Sequence, residues 1–221
     1  MTHGISRPAR TSQAIKDDPP FSLAPILRFD LLDAVHGLNA DYLELLAAEQ
    51  RYGTCSAQLQ FLPSRLHASF AQLSDTERNR LARTPYALYS LRFDDERFWS
   101  QLCQPTEHAL DVRYASSRTA CLQTQFCETA LLQAYQTART LPLAARLMYS
   151  MSEPVRQRLA AQPLWRIRRL AADQPSLLQP KWSTHACFWP DLLSYAAAND
   201  TVKLTTVQLL GVQMIASELA R

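Results

Sequence analysis

The chain has 221 residues, with 23 Lys and Arg against 20 Asp and Glu, and its formal net charge of +3 is too small to indicate a nucleic-acid partner by itself. It contains four glycines, and Leu (34) and Ala (30) far outnumber Val and Ile (11 together). Because β-branched residues favour strands whereas Leu and Ala favour helices, this composition excludes a sheet-based fold and predicts an all-α protein. The five cysteines form no CxxC motif, so free thiols in a reducing, cytoplasmic compartment are expected.

The first predicted elements cover the N-terminal part of the chain. Residues 1–25 are polar and contain several prolines, which predicts a disordered tail. From residue 26 onward, apolar residues recur at three- and four-residue spacing. This spacing predicts a long helix that ends near Gly53, or two helices with a break at Gly37. A similar pattern predicts a second helix over residues 64–73.

Helix caps mark the next elements. Ser74 and Glu77 have the S-x-x-E form of a capping box, which predicts a short third helix that stops before Pro85. Residues 86–93 carry apolar side chains at nearly every second position, which indicates a short extended segment. The acidic pair that follows predicts the N-terminus of a helix through Trp99.

A polar connector precedes the remaining elements. Residues 104–118 form this connector, and a long helix is predicted over residues 119–139. Residues 173–185 contain two prolines and are predicted to form a loop. Apolar periodicity predicts a last helix from residue 201 to the C-terminus.

Two segments of the sequence recur in the same order. Residues 73–82 match residues 151–160, an offset of 78 residues, and residues 98–102 match residues 188–192, an offset of 90 residues. A repeat of this length is typical of a duplicated small domain, with about twelve extra residues in the second copy. We assign the extra residues to the predicted loop 173–185.

The repeat predicts how the chain is organised. A first helical unit over residues 26–113 (the first half) is followed by a second, diverged unit over residues 114–221 (the second half). Fusing two copies turns the association of two chains into an intramolecular one. We therefore predict two tandem, related small helical units packed as an intramolecular pseudo-dimer, so that the chain is a pseudo-dimeric monomer.

The sequence contains no recognisable catalytic set. GxSxG, HExxH, P-loop and GxGxxG motifs are absent, and His185 with Cys187 is the only close Cys/His pair. Sequence proximity alone does not supply the geometry that a nucleophile and its base need. We therefore expect a non-enzymatic protein without a cofactor, a metal or a small-molecule substrate. No apolar stretch approaches roughly 18 residues, so no membrane association is expected.

A basic cluster in the second half is the candidate nucleic-acid site. It consists of Arg156, Arg158, Arg166, Arg168 and Arg169. A short capped helix followed by an arginine-rich segment can place guanidinium groups on phosphates. The alternative is a solvated helix face whose arginines pair with neighbouring acidic side chains. One exposed stripe without acidic neighbours would favour DNA, and interleaved ion pairs would favour the alternative.

The recurring aromatic residues have a structural interpretation. Phe98 and Trp99 in the first half, and Phe188 and Trp189 in the second, are expected to anchor the core of their units. Trp182 lies in the predicted loop, outside these pairs. We expect it to be exposed and take it as the candidate partner-binding residue.

The first half resembles the flagellar transcriptional regulator FlhD. The resemblance rests on Leu-Asn-Ala-Asp-Tyr-Leu at residues 38–43, Leu-Ala-Arg-Thr at residues 81–84, and Leu-Tyr-Ser-Leu-Arg-Phe-Asp-Asp at residues 88–95. It covers about residues 26–105. In the second copy, residues 169–173 take the place of the Arg-Phe-Asp segment.

The resemblance implies a fold and a set of partners. It implies a small all-helical fold that dimerises through its long helices. It also implies a partnership with FlhC in an activator complex on promoter DNA, with the zinc and much of the DNA contact belonging to FlhC.

Two functional hypotheses follow. The first is a cytoplasmic, non-enzymatic regulator of the FlhD type, which acts through an FlhC-like protein partner and, in one version, contacts double-stranded promoter DNA itself. The second is a helical adaptor or scaffold in a bacterial secretion or motility assembly, without DNA contact.

Overall fold

The structure is a computed structural model, and it describes residues 29–52, 58–103 and 118–220. The predicted tail, residues 1–25, lies outside the described residues. The described residues form ten α-helices: α1 (Phe29–Tyr52), α2 (Ser64–Gln72), α3 (Asp75–Ala82), α4 (Glu96–Leu102), α5 (Arg118–Thr140), α6 (Pro142–Tyr149), α7 (Glu153–Ala160), α8 (Leu164–Asp173), α9 (Phe188–Ala197) and α10 (Thr201–Leu219). Two short strands, β1 (Tyr89–Ser90) and β2 (Gln179–Pro180), complete the regular structure with two 3-10 turns, Leu59–Phe61 and Pro175–Leu177. The predicted all-α class is confirmed.

Local signals set several helix boundaries as predicted. Ser74 Oγ accepts from Glu77 N at 3.3 Å while Ser74 N donates to Glu77 Oε2 at 2.7 Å, so the capping box that opens α3 is confirmed. Asp95 Oδ1 accepts from Phe98 N at 2.9 Å and caps α4. Helix α1 runs without a break through Gly37, which decides between the two alternatives for this segment.

The two long helices, α1 and α5, pack against each other and carry the short helices around them. Helices α2 and α3 pack on α1, and α6, α7 and α8 pack on α5. The short helices also cross between the halves, since α3 packs on α9 and α4 packs on α7. The aromatic rings of Tyr42, Tyr89 and Phe126 meet with centroids 5.1–5.6 Å apart, so side chains from both halves share one core.

Asn39 fixes the segment that follows α3. Its buried amide nitrogen donates to the oxygens of Ala82, Thr84 and Tyr86 at 2.9–3.1 Å, and its oxygen accepts from Leu88 N at 2.8 Å. All of its hydrogen-bonding atoms are therefore satisfied by the protein. This side chain positions the extended backbone that leads into β1.

Strands β1 and β2 join the two halves in a short antiparallel ladder. Tyr89 pairs with Pro180, and Ser90 pairs with Gln179. At an offset of 90 residues, Gln179 is the counterpart of Tyr89 and Pro180 is the counterpart of Ser90. Tyr89 is therefore paired with the counterpart of Ser90, and Ser90 is paired with the counterpart of Tyr89. A local two-fold axis produces this reciprocal pairing.

The turns after the two strands share one hydrogen-bonding design. Trp99 Nε1 donates to Leu91 O at 3.2 Å, and Trp189 Nε1 donates to Lys181 O at 2.7 Å, in each case eight residues back along the chain. The residues that follow these carbonyls, Arg92 and Trp182, both have left-handed backbone, with φ of 56° and 49°. The offset of 90 residues therefore already applies at the strands.

Six residues separate α3 from β1, whereas 18 residues separate α7 from β2, and α8 with its following 3-10 turn occupies this longer stretch. The predicted loop, residues 173–185, begins at the last residue of α8 and is not a loop throughout. That segment instead contains a 3-10 turn and β2. The counterpart of Arg92 is Trp182, and not Arg169 as the sequence match suggested, because residues 169–173 belong to the inserted helix.

The packing of α10 generates a prediction about its only glycine. A Cβ at Gly211 would overlap the hydroxyl of Tyr86, which is buried and donates to Gln208 O at 3.1 Å. We expect Gly211→Ala to lower the free energy of unfolding by about 2 kcal/mol, because Tyr86 must move or lose its hydrogen bond.

Gly37 provides the matched control, because a Cβ there would meet no atom within 4 Å. Gly37→Ala should therefore raise the stability by roughly 0.5–1 kcal/mol, as glycine replacement in a helix interior does. Urea unfolding of both variants measures the two effects. Equal changes in the two variants would contradict the packing described here.

Candidate functional site

Arg156, the first of the predicted phosphate-binding arginines, belongs to the packing of α7. Its guanidinium donates to both carboxylate oxygens of Glu153 at 2.6 and 2.9 Å, and to Ala138 O at 3.0 Å. Only 16% of the Arg156 side chain is exposed. The hydrogen bond from Arg156 lowers the pKa of Glu153 to about 2. Arg156 therefore ties the start of α7 to the end of α5.

Arg158 and Arg166 both reach to the ends of α4. Arg158 donates to Glu96 O at 3.5 Å, and Arg166 donates to Leu102 O at 3.3 Å. The second contact places a cation at the C-terminus of a helix, where the helix dipole favours it. These two arginines bridge the second half to the first.

Arg168 and Arg169 lie on α8, and Arg168 is the one exposed member of the cluster whereas Arg169 is half-buried. Arg168 Nε lies 2.7 Å from Glu128 Oε1, and 66% of the Arg168 side chain is exposed. Arg169 Nε lies 3.2 Å from Asp173 Oδ2. Exposed ion pairs of this kind contribute about 0–1 kcal/mol each, so a partner can replace them at little cost.

The five arginines do not form one stripe. Arg156 points to the end of α5, Arg158 and Arg166 point to α4, and only Arg168 and Arg169 remain together on an exposed face. Arg156, Arg168 and Arg169 are each paired with a carboxylate. Because interleaved ion pairs are typical of a solvated helix face, this arrangement favours such a face over a surface that binds phosphates.

Trp182 corrects a second expectation, because its side chain is partly buried and not exposed on a loop. Trp182 Nε1 donates to Glu218 Oε1 at 2.7 Å. Its ring packs against Tyr86 and Phe188, with centroids 5.3 and 4.7 Å away. Trp182 therefore connects the β2 turn to α10. The sequence placed it in a loop because it lies just after prolines, and the tertiary contacts then bury it.

Lys181 is a buried lysine at the centre of this contact. Its side chain is almost fully enclosed, and the amine lies 4.9 Å from the ring centroid of Trp182 and 5.7 Å from that of Tyr86. The amine has no hydrogen-bond acceptor within the described part of the chain. Burial lowers the pKa of Lys181 to about 8, and the charges of Glu218 and Asp94 oppose this shift only in part.

His185 and Cys187, the close pair noted in the sequence, begin helix α9. His185 Nδ1 accepts from Phe188 N at 3.0 Å, and at the offset of 90 residues His185 is the counterpart of Asp95. Asp95 directly precedes α4, whereas His185 lies three residues before the first residue of α9. The ring nitrogen is thereby engaged with the backbone of α9, and Cys187 is exposed beside it. His185 therefore satisfies the first backbone N–H of α9, and the Cys187 side chain makes no capping hydrogen bond.

Sequence reasoning missed an exposed apolar pair at the start of α8. Trp165 is 65% exposed and Leu164 is 54% exposed, although both are large apolar side chains. The signal lies in the spacing of the buried face of α8, which consists of Ile167, Leu170 and Ala171. Trp165 does not fall on that face of a helical wheel, whereas Leu164 falls beside Ala171 and is exposed at the first residue of the helix.

The described residues, 29–52, 58–103 and 118–220, contain no group of three side chains suited to hold a metal ion. None of the helices in this part of the chain combines the length and the apolar character that a membrane crossing needs. A scan against protein-family models gives no match, and searches of curated proteins and of solved structures give none either.

The burial of Lys181 predicts a stabilising substitution. Near pH 7 this lysine is charged in both the folded and the unfolded chain, and the folded chain bears the cost of burying the charge. Lys181→Met removes this cost, and we expect the free energy of unfolding at pH 7 to rise by on the order of 2 kcal/mol.

The stability difference between the natural chain and Lys181→Met depends on pH, and its direction follows from the pKa of Lys181. The folded pKa of about 8 lies below the ordinary value of 10.5, so the unfolded chain binds more protons between these values. The natural chain therefore gains stability relative to Lys181→Met as the pH rises from 8 to 10.5. Urea unfolding from pH 7 to 10 measures the difference, with Lys203→Met at an exposed lysine as the control. A difference that stays constant with pH would contradict the argument.

Proposed function

We propose that this chain is a non-enzymatic helical regulator or adaptor that acts by binding another protein through α8. The observation that carries the proposal is the exposed pair Leu164 and Trp165 beside Arg168 and Arg169. Tryptophan and arginine are the residues most enriched among those that dominate binding energy at protein interfaces. Exposed apolar side chains of this size favour a partner that removes them from water.

The spacing along α8 defines a face with a stated chemistry. Arg168, Arg169 and Ala172 lie three, four and seven residues after Trp165, so the four residues share one side of the helix. The two arginines make this side basic. Their ion pairs with Glu128 and Asp173 are exposed and weak enough to be exchanged. A segment with an apolar anchor flanked by carboxylates fits this face best.

The position of α8 supports the same proposal. This helix has no counterpart in the first half, because the extra residues of the second copy form it. A duplicated unit that acquires one additional helix, with an exposed tryptophan on that helix, gains a surface that the other unit lacks. The equivalent turns around Trp99 and Trp189 and the two-fold pairing of β1 with β2 support the pseudo-dimer of two units as part of this proposal.

The FlhD-type regulator is the more specific form of the proposal. In it, the partner is FlhC-like, the complex activates transcription in the bacterial cytoplasm, and DNA contact falls mainly to the partner. The pairing of the arginines within the chain supports a limited role in DNA contact. The adaptor in a secretion or motility assembly shares the α8 surface and differs in the identity of the partner.

Selection of random displayed peptides on the purified chain tests the α8 surface. We expect the enriched peptides to carry an apolar anchor flanked by Asp or Glu, because α8 presents an apolar pair beside two arginines. Trp165→Ala should lose the enrichment, whereas Phe61→Ala, at another exposed aromatic residue, should keep it. Enrichment that survives Trp165→Ala would overturn this assignment.

Sedimentation with duplex DNA tests the alternative. Contacts to several phosphates weaken steeply between about 50 and 200 mM salt. We expect no DNA-dependent change in mass at either salt concentration. A shift at low salt that disappears at high salt, and that Arg168→Gln with Arg169→Gln abolishes, would contradict the proposal and favour direct DNA contact.

A further inference from the structure

Helix α10 has an apolar outer face that no element of the described chain covers. Leu204, Val207 and Ile215 face inward, while the opposite side exposes large apolar side chains along the length of the helix. These exposed residues are Val202, Leu209, Leu210 and Val212, of which Val202 and Leu209 are 75% and 58% exposed. Helix α6, which packs on α10, adds exposed Leu143 and Leu147.

Three hydroxyls on this face are already satisfied, and Gln213 is a further polar side chain exposed there. Thr205 Oγ1 donates to Thr201 O at 2.8 Å, Thr206 Oγ1 donates to Val202 O at 3.0 Å, and Ser217 Oγ donates to Gln213 O at 2.9 Å. Hydroxyls that bond to the carbonyls of their own helix present mainly their carbon atoms outward. Burying this face would therefore leave none of these three donors without an acceptor.

The face also carries no charge. Between Lys203 and Glu218 the sequence of α10 contains no charged residue. Lys203 is paired with Asp200, and Glu218 turns inward to accept from Trp182. An uncharged surface meets no electrostatic repulsion from an identical copy, and it offers no charge pattern that would select a charged partner.

We propose that the outer face of α10 is the contact between two copies of this chain, with the two helices packed antiparallel about a two-fold axis near Leu209. An isologous contact of this kind uses the same surface from both copies. A helix of 19 residues is about 28 Å long. Two such faces bury on the order of 1,000 Å² in total, which reaches the lower end of specific interfaces. The contact lies on another helix than α8 and does not rest on the proposed function. It replaces the predicted monomer by a dimer of two pseudo-dimeric chains.

The mass of the natural chain tests the proposal directly. Light scattering should give twice 25.0 kDa at tens of micromolar concentration. Leu209→Glu places a carboxylate at the centre of the contact from both copies, and we expect this variant to have a mass of 25.0 kDa with an unchanged circular dichroism spectrum. Leu164→Glu is the matched control, because Leu164 is similarly exposed on α8, and its dimer should persist.

Disulfide cross-linking tests the antiparallel arrangement. Leu209→Cys should form a covalent dimer under mild oxidation, because the two-fold axis brings the two positions together. In Val202→Cys the two positions lie roughly 20 Å apart along the pair, so no cross-link is expected. The natural chain, treated in the same way, controls for exposed Cys187.

Three outcomes would overturn the proposal. A natural chain that remains at 25.0 kDa has no such contact. A dimer that Leu164→Glu abolishes and Leu209→Glu preserves uses α8 instead. Equal cross-linking of Leu209→Cys and Val202→Cys indicates a parallel pair.

Discussion

Two buried tryptophan indoles hold the turns on which the packing of the two halves depends. Trp99 and Trp189 each donate to a carbonyl eight residues earlier, and each turn leads into a helix that packs on the opposite half, α4 on α7 and α9 on α3. A buried N–H without an acceptor costs about 1–3 kcal/mol, so these bonds discriminate strongly against other backbone paths. Because β1 pairs with β2 directly before the turns, each turn constrains the other.

Those features of the fold that depend on neighbouring residues could be predicted from the sequence. The capping box of Ser74 and Glu77 spans four residues, and the extended segment before Trp99 has its own alternating pattern. The position of the insertion depends on tertiary structure. The two sequence matches end at residues 82 and 160 and resume at residues 98 and 188, so the repeat does not locate the extra residues between these points. Only the ladder, which pairs Tyr89 with Pro180, reveals where the second offset begins.

The roles of the arginines were beyond sequence reasoning for a similar reason. Arg158 and Arg166 bond to carbonyls 62 and 64 residues earlier, and Arg168 pairs with a carboxylate 40 residues earlier. A count of neighbouring charges cannot find such partners, whereas the pair of Arg156 with Glu153 is local and was anticipated as an alternative. The exposure of Trp165 was missed because an aromatic residue among arginines on an amphipathic helix is usually part of the core.

The two halves therefore differ in what they show to solvent as well as in the additional helix α8. Of the eleven large apolar side chains that are exposed in the described residues, nine lie in the second half, and Tyr52 and Phe61 are the two in the first. The second half also places a charged lysine, Lys181, where the first half has the buried Leu91. Exposed apolar side chains and a buried charge both lower the stability. The contacts of a core that both halves share can offset this loss when the other half keeps its stabilising contacts. In the proposed duplication, one copy holds the fold and the other presents the two proposed surfaces, on α8 for a partner and on α10 for a second chain.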